Sequence, residues 1–168
     1  MFVASMNPCP CGFYGSKEKE CSCAPQAISR YMGKISGPLL DRIDIQIEVT
    51  PVKYQKLEKD VLVESSEQIK KRVNIARKTQ QIRYHKNGIY SNSELTPMLI
   101  DKYCKLDTKC KTLLQNAFEK LGLSARAYTR ILKVARTIAD LEQKENIQTN
   151  HLAEAIGYRN LDRKYWKT

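Results

Sequence analysis

The chain has 168 residues, 42% of them hydrophobic and 28% charged, the composition of one average globular domain or two small ones, which argues against a disordered chain. No run approaches the ~18 apolar residues of a membrane span, and no basic flank leads into a short apolar core at the N-terminus, so a cytoplasmic chain with no membrane partner is expected. The net charge of +11 points to phosphate-bearing partners, nucleic acid or nucleotide, although a merely solvated surface has the same composition.

In chain order, the apolar start "MFVAS" reads as a short buried strand. A Pro- and Gly-rich loop follows to about Pro25 and holds four of the six cysteines. "QAISRYMGKI" suits a short helix, punctuated by Gly37 and Pro38. In "PLLDRIDIQIEV" the apolar Ile43, Ile45, Ile47 and Val49 alternate with Asp44, Gln46 and Glu48, the period of a half-buried strand.

From Ser65 the pattern becomes helical. Ser65 and Gln68 have capping-box spacing, and Ile69, Val73, Ala76 and Gln80 mark one face of a helix over 66–86. Pro97 suits the first turn of a short helix over 96–104. A further helix is expected over 108–121, with Leu113, Leu114, Ala117 and Phe118 inward and Gly122 at its C-terminal cap. Ser124 caps the next, whose Ala127, Ile131, Ala135 and Ile138 form a core stripe. A last helix follows Thr149 and stops near Gly157. The expected class is therefore α+β, mostly α. Residues 1–50 carry two strands and a loop, 51–64 form a linker, and 65–168 form a helical bundle. Two strands and one short helix cannot bury a core, so both strands read as members of a larger sheet, with pairing to each other as the alternative.

Cys9, Cys11, Cys21 and Cys23 form two Cys-x-Cys pairs. In a reducing compartment such pairs read as metal ligands or spare thiols before disulfides. Four thiolates in one loop can reach a tetrahedral Zn2+ site, and Pro8, Pro10 and Gly12 suit a tight knuckle. One intervening residue makes it harder for both sulfurs of a pair to bind one ion. Free thiols and oxidised pairs remain as alternatives. Cys104 and Cys110 read as half-buried helix residues.

Among the basic residues, Arg42 stands between Asp41 and Asp44 at the start of the second strand. It reads as an ion pair or as a finger toward another subunit's phosphates. Arg126 lies in the first turn of the helix capped by Ser124, with Arg130 and Lys133 on the same face. That is a plausible phosphate site, or a solvated basic face. Lys70, Lys71, Arg77, Lys78 and Arg83 crowd the helix over 66–86 and suit a nucleic-acid backbone or plain solvation; Tyr84 near its end hints at base stacking.

The blocks "VASMNPCPCGFYG…CSC", "RYMGKISGPLLDRIDIQIEV", "LSARAYTRILKVARTIADLE" and "HLAEAIGYRNLDRKYW" closely resemble, in the same order, the ComM-type branch of the magnesium-chelatase-like AAA+ ATPases. The resemblance implies the end of an AAA+ core followed by a chelatase-type C-terminal lid. It implies that Asn7 is the sensor-1 residue that orients water or the γ-phosphate of ATP. It implies that Arg42 is an arginine finger and that Arg126 in "SARA" is a sensor-2 residue on the phosphates, with Arg130 beside it. Members of this branch are understood as hexameric, ATP- and Mg2+-dependent DNA motors that drive branch migration in recombination and transformation.

The chain contains no Gly-x-x-x-x-Gly-Lys-[Ser/Thr] loop and no acidic magnesium-binding strand, so by itself it is expected not to hydrolyse ATP. It reads as a piece of a longer protein or as the partner of a separate N-terminal piece. A zinc-braced basic module that binds nucleic acid by charge is the alternative function, and a metal-insertion subunit acting on a porphyrin ranks third.

Overall fold

The computed structural model describes residues 1–49 and 64–159, which fall into two compact units, Met1–Ile43 and Asp44–Arg159. The expected linker, except Glu64, and the expected lid residues beyond 159 lie outside the described residues.

In the first unit, helix α1 (Pro25–Met32) starts on a proline that pre-sets the helical φ and ends where the Gly33 N–H donates to Ser29 O at 2.9 Å. A one-turn helix, α2 (Gly37–Leu40), follows. Met32 and Leu40 are the buried residues of these helices, and the cysteine loop precedes them.

The second unit is a helical bundle. Helix α3 (Ser66–Tyr84) opens with the expected capping box: Gln68 N–H donates to Ser65 Oγ at 3.2 Å and Ser65 N–H to Gln68 Oε1 at 2.8 Å. Two 3-10 turns, His85–Asn87 and Asn92–Glu94, lead to α4 (Pro97–Tyr103). Helix α5 (Thr108–Leu121) is capped by Asp107 and ends on Gly122, whose φ of 47° is the left-handed conformation that glycine adopts most readily. Helix α6 (Ala125–Leu141) begins where Ser124 Oγ accepts from Ala127 N–H at 3.1 Å. Helix α7 (Thr149–Gly157) closes the described part. The α6 stripe of Ala127, Ile131, Ala135 and Ile138 is buried as expected, and α6 packs against α3, α4 and α7. Leu95, Leu99, Ile100, Leu114, Ile147, Leu152 and Ile156 complete the core around it.

Two expectations are corrected. No strand occurs among the described residues: Met1–Ser5 and the alternating run after Ile43 carry no regular structure. A period of two makes a strand only when a neighbour accepts its ladder bonds and covers one face. Here Phe2, Val3, Ile47 and Val49 stay exposed. The α3 face is also only half covered. Ala76 and Gln80 are buried, but Ile69 and Val73 remain 42% and 38% exposed, because α3 meets the bundle only from Ala76 onward.

A buried polar cluster ties the bundle together. The Asp140 carboxylate, 1% exposed, accepts from Arg83 Nη2 at 2.6 Å and Nη1 at 3.0 Å, Arg136 Nε at 3.1 Å and Asn92 Nδ2 at 2.9 Å. Arg136 also donates to the carbonyls of Glu145 and Lys144 at 2.7 and 2.6 Å. Asn92 Oδ1 accepts from Tyr84 OH at 2.6 Å, and Asn92 N–H donates to Gln80 Oε1 at 3.1 Å. Truncating the carboxylate strands the buried Arg136 guanidinium and the half-buried one of Arg83, a loss of about 3–5 kcal/mol for a broken buried pair. Urea denaturation of Asp140→Ala is expected to show that loss. Arg72→Ala, which removes an exposed pair with Glu64, is expected to change stability by under ~1 kcal/mol.

Candidate functional site

The cysteine knuckle is built by its turns. Gly12 N–H donates to Cys9 O at 3.0 Å, and Ser16 N–H to Phe13 O at 3.0 Å. Gly12 and Gly15 take φ of 85° and 79°, conformations costly for a residue with a Cβ. The fold across Pro10 overcomes the short Cys-x-Cys spacing. Cys9 Sγ lies 3.3 Å from Cys11 Sγ and 3.6 Å from Cys21 Sγ, Cys11 and Cys21 are 3.5 Å apart, and all four sulfurs, Cys23 included, fall within 4.8 Å of one another. A metal with sulfurs at ~2.3 Å in a tetrahedron has ~3.8 Å between sulfurs, so this donor set fits one ion. All six cysteines are free, and these separations exceed the ~2.05 Å of a disulfide.

The four sulfurs share charge unevenly. The Phe13 backbone N–H holds Cys11 down to about 6 against the effect of desolvation. Desolvation also opposes the Cys9 thiolate, but the N–H groups of Tyr14 and Gly12 and the Cys21 thiol outweigh it and lower its pKa. The Cys23 N–H favours the Cys21 thiolate, yet desolvation and the sulfurs of Cys11 and Cys9 push that thiol up to about 12. Cys23 is raised as well: the Cys11 N–H opposes the shift, while desolvation and the sulfurs of Cys11 and Cys9 drive it. Four thiolates this close repel, so full ionisation of the set requires a cation among them.

The remaining candidates occupy different surroundings. Asn7 is exposed, in a segment without regular structure rather than at a strand end, and its side chain lies over Gly12 of the knuckle. Arg42 is exposed, and its Nη1 donates to Pro38 O of α2 at 2.7 Å. Asp44 pairs with Arg130 instead of Arg42. Within the second unit, Lys133 Nζ donates to Ser93 O at 2.8 Å. Arg126 alone of its face, exposed in the first turn of α6, has no side-chain partner among the described residues. On α3, Lys70 and Arg77 form one exposed column and Lys71 and Lys78 the next. Arg83 does not join them: Asp140 holds its guanidinium and keeps it above its ordinary pKa, against the opposing effect of desolvation. Tyr84 is fully buried, its OH on Asn92, and offers no stacking face to a base.

Sequence reasoning missed the Asp140 cluster and the buried His151. His151 is fully buried, with Nδ1 accepting from Gln148 N–H at 3.0 Å and Nε2 2.9 Å from Glu142. A signal for the cluster was present: Arg136 and Asp140 are four apart, next to Ala135 and Ile138 of the core stripe.

The outlying thiols differ from the knuckle. Burial pushes Cys104 up to about 11, and burial with Asp107 does the same to Cys110. After treatment with a chelator at pH 7.5, iodoacetamide is expected to alkylate Cys11 and Cys9, whose thiolates are favoured, ahead of Cys21 and Cys23, whose thiols are held protonated. Cys104 and Cys110, buried and protonated, are expected to react only after denaturation, as peptide mass mapping will show.

Comparison with known proteins gives this arrangement a lineage. The magnesium chelatase subunit ChlI family matches residues 1–57, and its C-terminal family matches residues 63–159. Competence protein ComM of Haemophilus influenzae is 44% identical over 162 residues, 96% of this chain. Protein YifB of Escherichia coli, described as uncharacterized, is 41% identical over 162 residues, also 96% of this chain. Protein Rv2897c of Mycobacterium tuberculosis, likewise described, is 31% identical over 157 residues, 94% of this chain. The chain spans 31% of the length of each of these relatives. The mostly helical fold, the two family matches and these relatives agree: the chain belongs to the magnesium-chelatase ChlI family, in its ComM-type branch.

Proposed function

We propose that this chain is the sensor, finger and lid portion of a ComM-like AAA+ ATPase that moves DNA, working as a hexamer and using ATP with Mg2+. The observation that carries the reading is Arg126. A helix N-terminus anchored in a packed core presents one exposed guanidinium with no side-chain partner among the described residues, while its two basic neighbours are engaged. Free N–H groups and a cation at such an end suit a phosphate. A merely solvated face gives no reason for the contrast between Arg126 and its neighbours.

In this reading Asn7 orients the attacking water or the γ-phosphate, Arg42 acts on the nucleotide of a neighbouring subunit, and Arg126 touches the phosphates from the lid, with Arg130 released from Asp44 to assist. The groups that grip the β- and γ-phosphates and Mg2+ come from outside these 168 residues. The exposed columns of α3, Lys70 with Arg77 and Lys71 with Lys78, each span seven residues, ~10.5 Å of helix, and contact the DNA backbone without reading sequence. The knuckle holds one Zn2+ through Cys9, Cys11, Cys21 and Cys23. Four protein ligands leave no open position, so the ion is structural rather than catalytic.

Subunit mixing tests the motor. In the full-length protein, Arg42→Ala is expected to lower ATP turnover by about 10³-fold, as for other arginine fingers. Mixing it with a P-loop-lysine variant should restore part of the activity, because each supplies what the other lacks. No recovery on mixing overturns a finger acting in trans. Arg126→Ala should lower turnover at least ~10-fold with unchanged thermal stability.

DNA binding is tested separately. Replacing Lys70, Lys71, Arg77 and Lys78 together by Ala is expected to cut the slope of log affinity against log salt by about 3–4. An unchanged slope removes α3 from the DNA contact.

A further inference from the structure

Asn7 is separated from the ligand Cys9 by Pro8 alone, whose ring fixes its φ. The Asn7 side chain rests on the knuckle: a Cβ built at Gly12 would lie 3.8 Å from both Cγ and Nδ2 of Asn7. Gly12 is the residue whose N–H closes the turn onto Cys9 O, and its own φ, directly after Cys11, is left-handed. The segment around Asn7 has no regular structure, and among the described residues no hydrogen bond holds its carboxamide. The floor beneath this side chain is thus the turn that the sulfurs stabilise.

We propose that occupancy of the Cys9–Cys11–Cys21–Cys23 knuckle by zinc sets the position of the Asn7 side chain, making the cluster a positioning device for a nucleotide-facing group as well as a brace. The inference rests on the reading of the knuckle as a zinc site and of Asn7 as a group that faces ATP. A divalent ion pulls four mutually repelling thiolates to one centre and locks the Cys9–Gly12 turn. Without that charge the turn opens, and Asn7 loses both its backbone tether and its floor. For a group that aims a reacting atom, a misplacement of about 1 Å costs on the order of 10²-fold in rate, so zinc loading would set turnover with no ligand exchanged at the nucleotide.

The test needs only this chain, isotopically labelled, stripped with EDTA and reloaded with Zn2+ or Cd2+ while metal is counted by elemental analysis. The Asn7 side-chain amide is assigned by its loss in Asn7→Asp. About one zinc per chain is expected, with shifts of the Asn7 amide and the Gly12 backbone, while the methyl groups of buried Met32 and Leu40 in the same unit stay in place.

Zinc bound with an unmoved Asn7 amide overturns the coupling and leaves the metal site standing. No zinc bound overturns both. If the stripped protein loses its fold, the decision passes to the zinc and cadmium forms. The larger ion widens the knuckle and should displace the Asn7 and Gly12 signals without moving those methyls; identical Asn7 signals in the two forms overturn the proposal.

Discussion

The second unit depends on one carboxylate. Asp140 is sealed from solvent and receives hydrogen bonds from α3 through Arg83, from its own helix through Arg136, and from the connecting turn through Asn92. A charge in that position is tolerable only because two guanidinium groups and an amide surround it. The cluster therefore acts as a register lock: sliding α3 along α6 by one residue would part the half-buried Arg83 from the buried Asp140. The apolar contacts of Ile131, Ala135 and Ile138 supply the driving force for packing but would tolerate small shifts that the Asp140 geometry does not.

That lock has a functional reach. Helix α6 carries Arg126 and Arg130 toward its N-terminus and its buried anchor, Arg136 with Asp140, toward the other end. A stiff helix held at Asp140 and capped at Ser124 holds Arg126 in one place, as the phosphate-sensing role proposed for it requires. The knuckle solves the same problem differently. A loop too short to own a hydrophobic core gathers four sulfurs, and two glycines in left-handed conformations let the chain turn tightly enough to do it. One region is ordered by burying charge among partners, the other brings four candidate metal ligands together.

Much of this architecture was readable in the residues. Capping chemistry located the starts of α3 and α6 at Ser65 and Ser124, and Gly122 the end of α5, because caps act through neighbours three or four positions away. The four-cysteine set was equally legible as a metal-ligand candidate. The strands were not. The alternation from Ile43 to Val49 describes a segment able to sit in a sheet, and whether it does so depends on a partner that the pattern cannot specify. Arg83 shows the opposite failure: in a run of basic residues it looks like its neighbours, and only the fold brings Asp140, 57 positions away, against it.

The sequence by itself determined the helices and their caps, the core stripe of α6, the donor set of the knuckle and the family, since each rests on short-range spacing or on residue identity. Tertiary structure alone decided which charges are available. It committed Arg83 and Arg136 to Asp140, gave Arg130 to Asp44 and Lys133 to Ser93, and left Arg126 exposed. Pairing over long range is a property of distance in space, and distance in space is what a linear pattern of residues leaves undefined.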